Sequence, residues 1–179
     1  MERLIRVSSS DQIPTPYRDS SVGRFLEYHN LNRPFESHTR AELLIGMCMD
    51  SRKSLRIPDN FAFILRTGGG NLRYSEFKVS YAIAIGGVKA IALVGHTNCG
   101  MVNLLSRKNE FVTGLVSNGG WSKEAAEEHF LHFSSMFEIG NEVDFVVSEA
   151  KRLRIRYPTI LVASLIYRVE DNLLYVLNE

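Results

Sequence analysis

The sequence lacks several features that mark large classes of protein. None of its apolar runs reaches the roughly 18 to 20 residues that a membrane-spanning helix needs. Its 21 basic and 20 acidic residues leave a formal net charge of +1, so it has no charge excess typical of proteins that bind nucleic acids or anionic membranes. The first 19 residues lack the apolar core of a secretory signal. We therefore expect a cytoplasmic protein without nucleic-acid or membrane partners.

Cysteine is also scarce, with two among 179 residues. A cytoplasmic location disfavours a disulfide between them, so both thiols need another explanation. The remaining composition is that of an ordinary globular protein, with 45% hydrophobic and 23% charged residues. The length fits one domain with a hydrophobic core.

Short apolar runs alternate with helical patterns through the middle of the chain. The runs cover 43–48, 61–66 and 90–96, and a helical pattern over 75–85 precedes the third. Such runs, separated by helices, predict buried parallel strands. Two further helices and two final strands are predicted at 122–137, 142–156, 159–167 and 173–177. The fold class predicted is α/β, with a central, mostly parallel β-sheet flanked by helices.

The first 40 residues precede this pattern. Residues 8–20 are rich in Ser, Pro and Asp, which predicts an irregular segment, and residues 21–31 predict a short helix. One side of that helix carries Val22, Phe25, Leu26 and His29. We expect an N-terminal arm over 1–40 and a single metal-binding α/β domain over 41–179.

The two cysteines fall near the ends of predicted strands. Cys48 ends the first apolar run, and His96 ends the third, three residues before Cys99. Because the carboxyl ends of parallel strands lie along one edge of a sheet, these three side chains can meet. Zinc suits two thiolates and an imidazole, and three protein ligands leave a fourth position open, as in catalytic sites. We also expect a helix to begin at Cys99 and to favour ionisation of its thiol.

Asp50 and Arg52 follow Cys48 at alternate positions, which puts the three side chains on one face of an extended segment. Asp50 would lie beside a metal bound by Cys48, and Arg52 would pair with Asp50 and keep it ionised. An ionised Asp50 can accept a hydrogen bond from a metal-bound water and orient it. Alternatively, Asp50 occupies the fourth metal position itself and blocks the site.

Simpler explanations exist for each feature taken alone. A single buried cysteine usually packs in a core, and Asp50 with Arg52 could be a surface ion pair of little consequence for stability. The glycine-rich stretch 67–71 follows a strand, as phosphate-binding loops do, but it lacks both nucleotide-binding patterns. His129 and His132 lack the H-E-x-x-H pattern and predict a half-buried helical face. The coincidence of these groups at two strand ends is what favours a metal site.

The motifs CMDSR (48–52) and GHTNCGM (95–101) together resemble the signature of the β-class carbonic anhydrases, C-x-D-x-R followed by H-x-x-C around a catalytic zinc. The resemblance extends through the segment between the motifs, and more loosely over 141–177. It implies Zn²⁺ as the cofactor. The implied zinc ligands are Cys48, His96 and Cys99.

The resemblance also implies a function. Zinc-bound hydroxide, oriented by Asp50 and Arg52, would reversibly hydrate carbon dioxide to bicarbonate, and Asp50 would bind the zinc only in a closed, inactive state. The backbone at Gly68 and Gly69 would lie near the substrate. The family further implies a homodimer or a larger homo-oligomer, with the N-terminal arm lying across the partner subunit.

Three positions depart from the family pattern. Thr67 stands where members usually have asparagine, and Ser164 and Arg168 stand in a closing motif that is usually Gly-x-x-Tyr-Asp. Two alternatives follow from the same scaffold. One is a hydrolase of carbonyl sulfide or carbon disulfide, and the other is a non-catalytic zinc-binding protein that kept the scaffold and lost the activity.

Overall fold

A six-stranded sheet organises the protein, for which a computed structural model describes residues 3–179. The strands are Leu4–Arg6 (β1), Leu43–Cys48 (β2), Ala62–Thr67 (β3), Ala90–His96 (β4), Leu161–Arg168 (β5) and Leu173–Leu177 (β6). Their order in the sheet is β1-β6-β5-β4-β2-β3. Strands β3, β2, β4 and β5 run parallel, whereas β6 pairs antiparallel with β5 and with β1. The predicted mostly parallel α/β sheet is confirmed.

Helices cover both faces of this sheet. The α-helices in the described part of the chain are Thr15–Arg18 (α1), Ser21–Asn30 (α2), Glu76–Ala84 (α3), Lys108–Gly119 (α4), Lys123–Phe137 (α5) and Glu142–Arg156 (α6). Ser122 and Asn141 cap α5 and α6, because the Ser122 side chain accepts from the Ala125 amide and the Asn141 side chain accepts from the Asp144 amide. Within residues 3–179, no helix has the length and apolar character needed to cross a membrane.

Strand β2 lies between two apolar layers, and all six of its residues are buried. Leu43, Ile45 and Met47 pack on the face covered by α2. Leu44 packs on the opposite face, with side chains of α3 and α6. Burial on both faces explains why this strand is a continuous apolar run rather than an alternating one.

Helix α2 confirms the helix predicted over 21–31, and it packs on the sheet of its own chain. The four side chains predicted to share one side are all buried: Val22, Phe25, Leu26 and His29. These contacts make α2 part of the hydrophobic core of this chain. The contact of the arm over 1–40 with a partner subunit stays a prediction, as does the division of the chain at residue 41. Residues 1 and 2 of that arm lie outside the described residues.

The irregular segment predicted over 8–20 is wrong in part. It contains a 3-10 turn at Ser10–Gln12 and the short helix α1. Pro16 sits in the first turn of α1, where its missing N–H group costs no helical hydrogen bond. Proline therefore starts a helix here instead of preventing one.

The helix predicted to begin at Cys99 is also wrong. The chain makes turns from 97 to 103, and Asn98 and Asn103 have left-handed φ values of 55° and 53°. A residue in that conformation interrupts a right-handed helix. A 3-10 turn at Leu104–Arg107 follows, and α4 begins only at Lys108. The Cys99 thiol therefore gains no helix dipole, and α4 was missed by the sequence reasoning.

Candidate metal centre

The three predicted ligands come from neighbouring strand ends. Cys48 is the last residue of β2, and His96 is the last residue of β4. The two strands are hydrogen-bonded neighbours whose register pairs Met47 with Val94. The turn after β4 then returns Cys99 to the same edge of the sheet. Parallel pairing thus brings together side chains that are far apart in sequence.

The ligand atoms of Cys48, His96 and Cys99 all lie within 4.8 Å of one another. The two sulfur atoms are 3.9 Å apart, close to the roughly 3.8 Å that two zinc–sulfur bonds of about 2.3 Å give at a tetrahedral angle. All three residues are buried, with exposed fractions of 3%, 0% and 6%. The distances fit a zinc ion held by these three residues.

The imidazole of His96 gives a second test of that fit. Its Nδ1 donates to the carbonyl oxygen of Thr97 at 2.9 Å, so Nε2 carries the lone pair. Nε2 is buried and has no hydrogen-bond partner in the described part of the chain. Buried polar atoms are rarely left unpaired, and a metal ion would pair this one.

The two thiols influence each other strongly. The hydrogen bond with Cys99 lowers the pKa of the Cys48 thiol. The hydrogen bond with Cys48 and burial raise the pKa of the Cys99 thiol. One thiolate therefore opposes the formation of the second. A divalent cation between the sulfurs would favour both thiolates, because it replaces this repulsion with attraction.

Asp50 and Arg52 form the pair that the spacing predicted. Arg52 Nε donates to Asp50 Oδ1 at 3.0 Å and Arg52 Nη2 donates to Asp50 Oδ2 at 2.7 Å. The backbone amide of Arg52 also donates to Oδ1 at 2.9 Å. These bonds hold the pKa of Asp50 well below its usual range. Asp50 Oδ2 lies 3.9 Å from His96 Nε2, so the ionised carboxylate stands beside the ligand set.

Several supporting contacts come from residues that the sequence reasoning missed. Glu170 accepts hydrogen bonds from the side chains of Thr97 and Asn98, both at 2.8 Å. Glu142 accepts from the backbone amide of Cys99 at 3.0 Å. These bonds fix the turn that carries Cys99. Glu142 is 43 residues from Cys99 in sequence, and Glu170 is 72 residues from Asn98. The only local signal was acidic character, in the first turn of α6 for Glu142 and in the final hairpin for Glu170.

Lys53 is a second missed residue at this edge. Its ammonium group donates to the backbone oxygen of Asp50 at 3.3 Å, and the residue is only 3% exposed. Burial lowers the pKa of Lys53, and the charges of Cys48 and Asp50 oppose that shift. No sequence pattern distinguished Lys53 from an ordinary surface lysine.

The glycine-rich segment follows β3 and closes one side of the site. Gly68 lines an apolar cavity, whereas a side chain at Gly69 would meet Ile139 and Met101. Gly69 has a φ of 63°, a conformation that favours glycine. Gly68 is therefore the one of the two predicted glycines whose backbone faces open space. A substrate-binding role for either glycine stays a prediction.

The cavity has a volume of about 260 Å³ and apolar walls. Its lining includes Met49, next to Cys48 in sequence, and Met101, two residues after Cys99. Helices α4 and α5 contribute four phenylalanines to it: Phe111, Phe130, Phe133 and Phe137. Sequence reasoning missed the cavity because its walls belong to distant segments.

His129 also lines this cavity and is half-buried, whereas His132 is exposed. The half-buried helical face predicted for the pair is therefore confirmed for His129 alone. Neither histidine belongs to a metal-ligand cluster in the described residues.

The three departures from the family pattern lie in different surroundings. Thr67 is paired in register with Cys48, and its buried hydroxyl has no hydrogen-bond partner within residues 3–179. Ser164 is fully buried in β5. Arg168 donates to the Tyr175 hydroxyl at 3.1 Å and lies 3.6 Å from Asp171. Thr67 is thus the departure closest to the ligands.

Comparison with known proteins supports the resemblance. A family model described as carbonic anhydrase matches residues 43–160. No curated protein matches the chain in sequence. Solved structures share the fold at low sequence identity, so they support the fold alone.

Three of these structures illustrate the similarity. The carbonic anhydrase from Glaciozyma antarctica is 22% identical, with a TM-score of 0.60 and coverage of 76% of this chain and 83% of that one. β-Carbonic anhydrase isoform I from Trichomonas vaginalis is 16% identical, with a TM-score of 0.63 and coverage of 83% and 90%. A carbon disulfide hydrolase in its apo form is 21% identical, with a TM-score of 0.55 and coverage of 78% and 80%.

The match to the family model covers more than half of the chain and includes both motifs of the metal centre. The fold shared with solved β-carbonic anhydrases agrees with it. The chain belongs to the β-class carbonic anhydrase family.

Proposed function

We propose that the chain is a lyase that reversibly hydrates carbon dioxide to bicarbonate with a bound Zn²⁺ ion. The observation that carries this proposal is the buried Cys48–His96–Cys99 set, whose ligand atoms lie within 4.8 Å of one another and whose buried His96 Nε2 has no hydrogen-bond partner within residues 3–179. These residues would hold the ion. Zinc would supply Lewis acidity, which makes a water molecule nucleophilic near neutral pH.

Asp50 and Arg52 would position the reacting water. Because Arg52 keeps the Asp50 carboxylate ionised, that carboxylate can only accept a hydrogen bond, and it would orient a lone pair of the water towards the substrate carbon. Arg52 Nη2 also donates to the backbone oxygen of Asn98 at 2.8 Å. This bond ties the pair to the turn that carries Cys99 and limits its motion.

Asp50 has a second proposed role in a closed state. Binding the metal would require its carboxylate to leave Arg52, which now engages both carboxylate oxygens. In the structure, Arg52 is bound to both carboxylate oxygens of Asp50. A closed state would exchange these charge-assisted bonds for one metal–oxygen bond and would exclude the substrate water.

The apolar cavity suits a neutral substrate. Carbon dioxide has no net charge, so walls made of methionine and phenylalanine side chains would not hinder its approach. The cavity touches Met49 and Met101, each within two residues of a ligand. The backbone of Gly68 forms part of the same wall and is the candidate contact for the substrate.

The cavity also favours a second candidate, hydrolysis of carbonyl sulfide or carbon disulfide. These molecules are linear, neutral and more apolar than carbon dioxide, and one solved structure of this fold is a carbon disulfide hydrolase. Relative turnover of the three substrates would decide between the candidates.

Assembly as a homodimer or larger homo-oligomer remains part of the proposal. So does a cytoplasmic location.

The decisive experiment is stopped-flow carbon dioxide hydration between about pH 6.5 and pH 9, on protein whose zinc content is measured in the same sample. Rates that scale with zinc occupancy and rise with pH would support the lyase. Fully zinc-loaded protein that hydrates no carbon dioxide at the upper pH would contradict it. Turnover of carbonyl sulfide or carbon disulfide by that same sample would then favour the hydrolase.

A further inference from the structure

The turn that follows β4 holds two groups of the candidate metal centre through its backbone oxygens. The carbonyl of Thr97 accepts from Nδ1 of His96 at 2.9 Å, which makes Nε2 the nitrogen with the lone pair. The carbonyl of Asn98 accepts from Nη2 of Arg52 at 2.8 Å, and the same guanidinium group binds Asp50. The position of this turn therefore sets the orientation of the imidazole and of the carboxylate–guanidinium pair together.

Both side chains of this turn bind one carboxylate in the hairpin between β5 and β6. Oε2 of Glu170 accepts from the Thr97 hydroxyl and Oε1 accepts from the Asn98 side-chain amide, each at 2.8 Å. The Thr97 hydroxyl also accepts from the backbone amide of Val169 at 3.0 Å, so the residue before Glu170 holds the turn as well. Hydrogen bonds to an ionised acceptor are stronger than neutral ones, and two of them fix a geometry better than one. Glu170 thus holds both residues whose carbonyls orient the centre.

The backbone of Asn98 gives a physical reason for this restraint. Its φ of 55° lies in the left-handed region, which residues other than glycine adopt at an energetic cost, although asparagine tolerates it better than most. A change of Asn98 to right-handed backbone would reorient the peptide groups of the turn and break the bond between its carbonyl and Arg52. The hydrogen bond from the Asn98 side chain to Glu170 opposes that change.

A simpler explanation is that Glu170 is a surface acid without consequence for the site. Its side chain is 44% exposed and lies 3.9 Å from Nε of Arg168, and an exposed ion pair of this kind contributes little to stability. The contacts with the turn differ from that pair, because they are hydrogen bonds of normal length to two adjacent residues. The bond from Thr97 also lowers the pKa of Glu170, so the carboxylate stays ionised and able to accept both bonds.

We propose that Glu170 is a positioning residue for the metal centre and acts through the turn after β4. It keeps the carbonyl of Thr97 in place as the acceptor for His96. It likewise keeps the carbonyl of Asn98 in place as the acceptor for Arg52. Loss of the carboxylate would loosen the imidazole as a metal ligand and the arginine as a support for the orienting carboxylate. For its effect on turnover this inference rests on the proposed function, whereas its effect on metal binding needs no substrate.

The first test measures zinc affinity by competition with a chelator, for the wild-type protein, Glu170→Ala and the control Asp171→Ala. Asp171 belongs to the same hairpin, but it accepts from the Leu173 amide at 3.1 Å and from the Tyr175 hydroxyl at 2.6 Å. Groups that orient a metal ligand contribute about 10- to 100-fold to affinity, and Glu170 acts through one further residue, so Glu170→Ala should weaken zinc binding about tenfold. Asp171→Ala should keep the wild-type affinity. Unchanged affinity in Glu170→Ala, or an equal loss in both variants, would overturn the proposal.

The conservative variant Glu170→Gln adds a rescue. Its side-chain oxygen can accept from Asn98 and its amide can donate to the Thr97 hydroxyl, so most of the zinc affinity should return. A loss as large as in Glu170→Ala would contradict a role based on these hydrogen bonds.

Turnover provides the last readout. Zinc-saturated Glu170→Ala should hydrate carbon dioxide with kcat about tenfold below the wild-type value and KM unchanged, because the orientation of the water is disturbed rather than the binding of substrate. A raised KM with normal kcat would overturn the positioning role. Zinc-saturated wild-type protein that hydrates no carbon dioxide would contradict the proposed function, and the zinc affinities of the variants would still decide this inference.

Discussion

Two buried histidines in different regions of the molecule differ in how their nitrogen atoms are used. His29, in α2, donates from Nε2 to the Asn172 carbonyl at 3.0 Å and accepts at Nδ1 from the Arg56 amide at 3.1 Å. His96, at the end of β4, donates from Nδ1 to Thr97 and leaves Nε2 without a partner in the described residues. Their exposed fractions are 8% and 0%, so burial alone does not separate them.

The comparison separates a structural histidine from a proposed metal ligand. His29 joins α2 to two loops of its own chain, and both of its polar atoms are satisfied. His96 retains one unsatisfied buried atom, which costs stability unless something outside the chain pairs with it. The hydrogen-bond account of each ring, rather than its residue type or depth, indicates its role.

The largest effect is expected when the proposed metal ligand His96 is replaced. His96→Gln should lose most bound zinc and all carbon dioxide hydration, because one of three ligands is gone. His29→Gln is the matched control and should retain its zinc. Metal analysis of both purified variants checks this. Equal zinc contents in the two variants would contradict the assignment of His96 as a ligand.

The next effect separates binding of the metal from its chemistry. Asp50→Asn should lower kcat for carbon dioxide hydration about a hundredfold with zinc content unchanged, because the amide no longer orients the water as a carboxylate does. Asp59→Asn, at an exposed position nine residues later in the sequence, serves as the control. Normal turnover in Asp50→Asn would exclude the proposed positioning role.

A smaller effect concerns the structural histidine. His29→Ala should lower the free energy of unfolding by about 2 to 3 kcal/mol, because it leaves a cavity and removes the partners of the Arg56 amide and the Asn172 carbonyl. Urea denaturation measures this value, and zinc content should not change in the folded protein. A loss below about 0.5 kcal/mol would mean that water replaces both contacts.

The smallest effect is a pH dependence. Burial lowers the pKa of His29 from its ordinary value near 6.5, so the unfolded chain takes up a proton at a higher pH than the folded chain. The stabilisation by neutral His29 is fully present above about pH 6.5 and is lost as the pH falls towards the folded pKa. The slope from this group is at most about 1.4 kcal/mol per pH unit.

Denaturation of wild-type protein and His29→Gln at several pH values between about 7.5 and 5.5 isolates this contribution. The variant should lose less stability than the wild-type protein over that range. His132→Gln, at an exposed site, should follow the wild-type curve. Parallel curves for His29→Gln and the wild-type protein would contradict the effect.

Much of the fold followed from local patterns. The continuous apolar runs of β2 and β4 predicted strands because both faces of these strands are covered. The helices predicted over 122–137 and 142–156 match α5 and α6, and the caps at Ser122 and Asn141 explain why they begin there. Helix α4 was missed because its sequence includes two glycines and several β-branched residues, which weaken a helical pattern. Contacts with α5 stabilise it instead.

The residues of the candidate site likewise fall into those that the sequence predicted and those that it did not. Cys48, His96, Cys99 and the Asp50–Arg52 pair were predicted because short spacings place them at strand ends. The roles of Glu142 and Glu170 depend on contacts across more than 40 residues, for which a short sequence pattern carries no signal. The cavity lined by His129 likewise requires α4 and α5 to pack beside the sheet edge.

The residues of the proposed metal site and the strand ends that carry them can be read from the sequence, since parallel strands align their carboxyl ends at one edge. The path of the chain around Cys99 depends on tertiary structure, because left-handed residues at Asn98 and Asn103 replace the expected helix. Tertiary structure also determines that His29 is satisfied, because both of its hydrogen-bond partners come from the backbone of segments distant in sequence. Local spacing can place a side chain at an edge, but only packing determines what it meets there.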